Sequence, residues 1–182
     1  MSETVLVALL TGGFTLASGI VAVVLTHRNS ERQAEATRRE DRRREARALL
    51  AQFVEAGTQW AKMNGAIVPA YYKAANDQKF WVEWPDTDSG KAIREHALTV
   101  SRAAGELRLI VSDKRLLECI AAAQAAMADG EAMKALLDEG RRTNGGMWKG
   151  DVMTNAFAHH RGVEEAFGSV EARAAELLRG AL

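Results

Sequence analysis

The side chains able to do chemistry are few, and their spacing limits what they can do. Histidine occurs at His27, His96, His159 and His160. Asp151, Asn155 and His159 recur every four residues, and His160 precedes Glu164 by the same step, so a helix would gather each set on one face. A histidine and a carboxylate one turn apart could share a metal ion, but a site needs three or four ligands converging from separate elements. The di-iron bundle pattern requires Glu-x-x-His on two helices, and neither copy is present. Gly140 to Gly150 is glycine-rich and includes Lys149. It does not match Gly-x-x-x-x-Gly-Lys-Ser/Thr and no strand is expected before it, so it reads as a helix–helix loop rather than a phosphate cradle. Cys119, the sole cysteine, sits beside Ile120 in an alanine-rich stretch and reads as a small core filler. No Ser/His/Asp or Cys/His signature is visible. The expectation is a chain with no catalytic residue, no metal and no cofactor, acting by binding.

The aromatic residues are the candidates for that binding. Phe80-Trp81-Val82-Glu83-Trp84 places three large rings close together, with Tyr71 and Tyr72 just upstream and Pro69 and Pro85 at the borders. The segment has weak helical periodicity, and aromatic residues outside a regular core face are common at partner-binding surfaces. Phe80, Trp81, Trp84, Tyr71 and Tyr72 are therefore the expected contacts to a protein partner. A lid folded over one end of a helical bundle explains the same residues, and a place at a membrane interface, which Trp favours, is a third reading.

The elements that must carry these residues are helical. Leu49, Leu50, Phe53, Gly57, Trp60, Ala61, Asn64, Ile67 and Val68 fall at steps of three and four, and Pro69 is expected to kink or end that helix. Residues 70–90 read as a looser segment, with Asp88 or Ser89 capping the helix that follows. That helix should bury Ile93, Ala97, Val100, Ala104 and Leu107. Ser112-Asp113 opens another, carrying Leu116, Leu117, Ile120, Ala123 and Met127 to a pause at Asp129-Gly130. A short piece with Met133, Leu136 and Leu137 is expected to close at Gly140. The last helix, about 147–179, places Val163, Phe167, Val170, Ala174 and Leu177 along a narrow seam. The fold class expected is all-α, with residues 49–182 forming an antiparallel bundle of about four helices.

Ahead of the bundle, Thr4 to Thr26 has a different character. Val5 to Leu25 contains no charged residue, and at about 1.5 Å per residue a helix of that length crosses the roughly 30 Å hydrocarbon core of a bilayer. Its Thr and Ser hydroxyls can bond back to helix carbonyls. A cleaved secretory signal fits less well, because no Lys or Arg precedes the run and the run is long. Residues 1–26 are thus expected to be a transmembrane anchor contacting lipid through 4–26. Glu3 is the one charged side chain before it, whereas Arg28, Arg32, Arg38 and Arg39 follow, with Arg28 and Arg32 as the membrane-flanking pair. Positive residues stay on the cytoplasmic side, so the N-terminus is expected outside and the bulk of the chain in the cytoplasm. Ala8/Gly12, Gly13/Ala17 and Thr11/Thr15/Gly19 repeat small residues at a step of four, which would allow a homo-oligomer through the anchor.

Residues 27–48 are charged on every face, with Glu35–Arg39 and Glu40–Arg44 as acid-first pairs one turn apart. This reads as a solvated helical stalk; no large apolar residue occupies a heptad seam that would make it a coiled coil. Charge excludes one partner class. Residues 27–60 hold eight arginines against six acids and residues 61–182 hold 16 basic against 17 acidic side chains, so no basic face for nucleic acid is expected. An apolar run with Gly-Gly-x-x-Thr-Leu-Ala-Ser-Gly, an Arg/Glu-rich stalk and alanine-rich amphipathic helices together resemble a broad group of small membrane-anchored helical proteins of actinobacteria and their phages. The resemblance is architectural and implies a membrane protein without assigning an activity. The function expected is a single-pass interaction or regulatory module, such as a prophage-encoded exclusion or defence factor. The alternative is an effector of phage lysis or envelope permeabilisation working through anchor oligomers.

Overall fold

The computed structural model describes residues 3–147 and 150–179, with backbone alone for 3–26, Arg28 and Leu178. Every regular element among the described residues is helical. They are α1 (Glu3–Lys73), α2 (Gln78–Glu83), a 3-10 turn (Trp84–Asp86), α3 (Asp88–Ile110), α4 (Lys114–Ala128), α5 (Glu131–Thr143) and α6 (Gly150–Arg179). The all-α expectation holds. The chain divides into two units, Met1–Glu45 and Ala46–Leu182.

In the first unit, the expected anchor Thr4–Thr26 lies outside the residues whose side chains are described. Among the described residues no helix is long and apolar enough to cross a membrane. Beyond it, residues 29–39 and 41–45 are all exposed, as a stretch without an apolar face requires. The Glu35–Arg39 and Glu40–Arg44 pairs form at 3.5 and 3.6 Å, with Glu35 and both arginines largely in water and Glu40 half-buried.

The second unit is built on the pairing of α1 with α6. Phe53 meets Phe167 with ring centroids 4.9 Å apart, Trp60 meets His160 at 5.9 Å, and Gly65 faces the His160 Cβ. Numbers rise along α1 as they fall along α6, so these two helices run antiparallel. Gly57 makes the approach possible: a Cβ there would lie 2.1 Å from Cζ of Phe167. Val100, Ala103, Ala104 and Leu107 of α3 and Leu116, Ile120 and Ala123 of α4 complete this first core, together with Val163 and Val170. Cys119 packs half-buried at its edge, as a filler should.

Four local expectations need correction. Pro69 does not end the helix; α1 runs one turn further, to Lys73, and the Ala74 N–H bonds to the Ala70 carbonyl at 2.9 Å. Proline removes only the bond that its own N–H would have donated to Gly65, and the buried faces of Val68, Tyr71 and Tyr72 hold the remaining turn in place. Residues 70–90 are not loose, because α2 and the 3-10 turn organise them. The cap of α3 is Thr87 rather than Asp88 or Ser89, its hydroxyl accepting the Gly90 N–H at 3.1 Å. Gly140 does not close α5, which continues to Thr143 and ends on left-handed Asn144. Gly140 instead serves contact: a Cβ there would lie 2.5 Å from the Tyr72 carbonyl oxygen.

Asp113 caps α4 as expected, accepting the Leu116 N–H at 2.7 Å. The same carboxylate accepts two bonds from the Arg173 guanidinium of α6, at 2.9 and 3.2 Å. The bonds from Arg173, then that from Leu116, hold the Asp113 carboxyl below its ordinary range.

Candidate functional site

The five aromatic residues singled out by sequence come together at one end of the domain. Tyr71 and Tyr72, on the last turn of α1, are buried beside Val68, Leu136, Met153 and Ala156, forming a second core. Phe80, Trp81 and Trp84 pack on it half-buried. Tyr71 is the hub. It stacks on Trp81 at 5.3 Å and meets the edges of Phe80 and Trp84 at 6.3 and 5.7 Å, while Phe80 and Trp84 stack at 5.4 Å. Such pairs contribute roughly 0.5–1.5 kcal/mol each beyond area burial.

Two polar tips of the cluster are satisfied internally. The Trp81 indole N–H donates to the Ala74 carbonyl at 2.8 Å, and the Tyr72 hydroxyl shares a 2.6 Å bond with that of Thr143. Burial raises the Tyr71 hydroxyl above its ordinary pKa, with a hydrogen bond from Trp84 acting in the opposite sense. Asn76 ties the same end to α5 through the Arg141 carbonyl and the Asn144 side chain, at 3.0 and 3.1 Å. The rings thus cover the second core in the manner of a lid. Val82, between the two tryptophans in sequence, remains 68% exposed and gives this lid an apolar outer edge.

The other polar feature lies between the two cores. On α6, His160 falls between Ala156 of the second core and Val163 of the first; on α1, Asn64 falls between Ala61 and Val68. Both are buried, Asn64 at 8% and His160 at 4% exposure. Asn64 donates to the Trp60 carbonyl at 2.9 Å. Neither ring nitrogen of His160 has a hydrogen-bond partner among the described residues. Burial, and the neighbouring His159 ring at 5.1 Å, push the His160 pKa down to about 4, so the ring is neutral at pH 7. The spacing of His160 to Glu164 pointed to this turn of helix, but not to the depth of the ring. Burial on α6 depends on where Trp60 and Gly65 of α1 arrive.

The remaining residues of interest are scattered. His27 is exposed and 3.3 Å from Glu31. Asp151 and Asn155 are exposed, and His159 and His96 half-buried. No group of three or more His, Cys, Asp or Glu able to hold a metal occurs among the described residues. Arg32 is exposed, and the side chain of Arg28 lies outside the described residues. A scan against protein-family models, a search of curated proteins and a search of solved structures find no match.

Proposed function

We propose that this chain is a single-pass membrane protein presenting a cytoplasmic helical bundle that works by binding another protein. The observation that carries the reading is the uncharged run Val5–Leu25 with a single acid before it and arginines at 28, 32, 38 and 39 after it. In this reading the anchor is a transmembrane helix, residues 27–48 form a solvated stalk, and the domain beyond is the working part. The exposure of the described stalk residues supports its role as a spacer. The partner-binding surface is the outer edge of the aromatic lid, where exposed Val82 adjoins half-buried Phe80, Trp81 and Trp84. Their inner faces hold the lid to the domain, which makes a rigid apolar edge.

A reporter fused after Leu182 tests the topology. Activity confined to a cytoplasmic reporter, with the protein resisting alkaline extraction from membranes, is the expected result. Activity of an extracytoplasmic reporter overturns the orientation and promotes the envelope-effector alternative. Val82→Asp tests the surface, since it changes an exposed side chain without touching the ring stack. It should abolish capture of a partner that the parent retains from native membranes, at an unchanged melting temperature.

A further inference from the structure

The outward face of α3 carries two leucines that the fold leaves in water, Leu98 at 60% and Leu109 at 86% exposure. With Arg102 and Gly105, both exposed, they recur at steps of four, three and four, a straight row along the helix. The row lies opposite Val100, Ala103, Ala104 and Leu107, which face the first core. Single surface leucines need no explanation, but these two share their row with two further features that the chain's own packing does not account for. A Cβ at Gly105 would meet nothing within 4 Å, so no neighbour calls for a glycine in mid-helix, where it destabilises relative to alanine. Arg102 and Glu106 stand one turn apart, yet neither forms an ion pair among the described residues. Base-first order is the weaker one for a pair within a helix.

We propose that this row docks a second copy of the chain, α3 against α3, antiparallel about a two-fold axis between Arg102 and Gly105. A two-fold contact requires a patch that complements itself, and the order leucine, arginine, glycine, leucine does so when turned end for end. Leu98 then falls opposite Leu109 of the second copy at each end of the contact. Arg102 falls opposite Gly105 of the second copy, where the missing side chain leaves room for the arginine stem. In an antiparallel pair each edge of a helix meets the same edge of its mate. Arg102 therefore comes beside Glu106 of the second copy, and Glu106 beside its Arg102, closing two ion pairs that the single chain leaves open. On the other edge Arg94 donates to the Pro85 carbonyl and Arg108 to Gln124 at 2.6 Å, so those cations are held by their own chain. A parallel pair would instead set Arg102 level with Arg102 of the second copy, like charge against like. A strip about 16 Å long and about 10 Å wide is smaller than the roughly 800 Å² per partner of a standard interface, so the pair is weak and depends on concentration. This inference does not rest on the anchor or on the aromatic lid.

The test is disulfide trapping between full-length chains that carry Cys119→Ala, so that introduced thiols are the only ones present. A chain with Leu98→Cys and a differently tagged chain with Leu109→Cys are produced together and oxidised with copper phenanthroline. Their mixed dimer keeps one native leucine pair at the far end of the contact. Its disulfide should exceed that of either homodimer at least fivefold. Arg102→Glu alone and Glu106→Arg alone should each reduce the mixed disulfide at least fivefold, and the two together should restore it, with melting temperatures unchanged. Gly105→Gln should abolish it without lowering the melting temperature, since it blocks the second copy and improves the helix. Absence of the mixed disulfide overturns the proposal, as do homodimers as abundant as the mixed species, which mark a parallel pair or random collision. Charge variants that leave the mixed disulfide unchanged overturn it as well.

Discussion

The two cores of the domain are built by different means. The first is an aliphatic seam around the Phe53–Phe167 contact, fed by faces from α1, α3, α4 and α6 and, among the described residues, free of buried polar groups. The second is built by α1, α5 and α6 around Tyr71 and Tyr72, covered by the half-buried rings of the connection after Lys73, and fixed by hydrogen bonds at the ring tips as well as by stacking. Between them lie Asn64 and His160. Periodic helices make a core cooperatively, because each face buries against several others. A connecting segment must carry its own large rings to be held at all.

That contrast predicts a hierarchy of damage. Phe167→Asp should cost about 5 kcal/mol or more, combining loss of a fully buried ring with an unpaired buried charge. Urea unfolding of a fragment spanning 46–182, followed by circular dichroism, reads the loss. An unchanged midpoint would mean that α6 does not pack along this seam. Trp81→Ala combined with Trp84→Ala should cost about 3–4 kcal/mol through lost stacking and the lost bond to Ala74. The effect should be local. Amide exchange should accelerate in α2 and the last turn of α1, leaving Leu107 and Ile120 protected. Equal acceleration throughout would show that the two cores form one cooperative unit.

The polar boundary adds a third effect, about 3 kcal/mol, that depends on pH. The folded-state pKa of His160, about 4, is below the ordinary value of 6.5, so the unfolded chain binds the proton more readily. This contribution is therefore complete above pH 6.5 and is lost as pH falls from there towards 4. Denaturation of the same fragment at a series of pH values should show that slope, and His160→Leu should flatten it. A parent profile as flat as the variant's would mean that the folded chain accommodates the protonated ring as readily as the unfolded chain does.

How much of this could be read from sequence follows the same division. The faces carrying Phe53, Val100, Leu107, Ile120 and Phe167 were legible because amphipathic spacing records burial directly. Asp113 was legible as a cap, but not as the partner of Arg173, since that pair joins residues with no sequence relation. Phe80, Trp81 and Trp84 stood out by type, while their arrangement around Tyr71 did not: a six-residue helix and a 3-10 turn leave too short a period to read. Pro69 misled because the penalty for proline is local, whereas the gain from burying Tyr71 and Tyr72 is tertiary. Gly140 misled for a related reason, its lack of a side chain serving a neighbouring carbonyl rather than a helix end.

The antiparallel mating of α1 with α6 also has a consequence for biosynthesis. Phe53, Ala56 and Gly57 leave the ribosome well before Phe167 and Val170, against which they close. At about 5–20 residues per second, the apolar stripe of the first helix waits roughly 5–25 s for its mate. Contacts this distant in sequence also slow the final search once the chain is complete. The nascent chain consequently has a long interval in which a chaperone, or a second nascent copy offering its own α6, can occupy that stripe first.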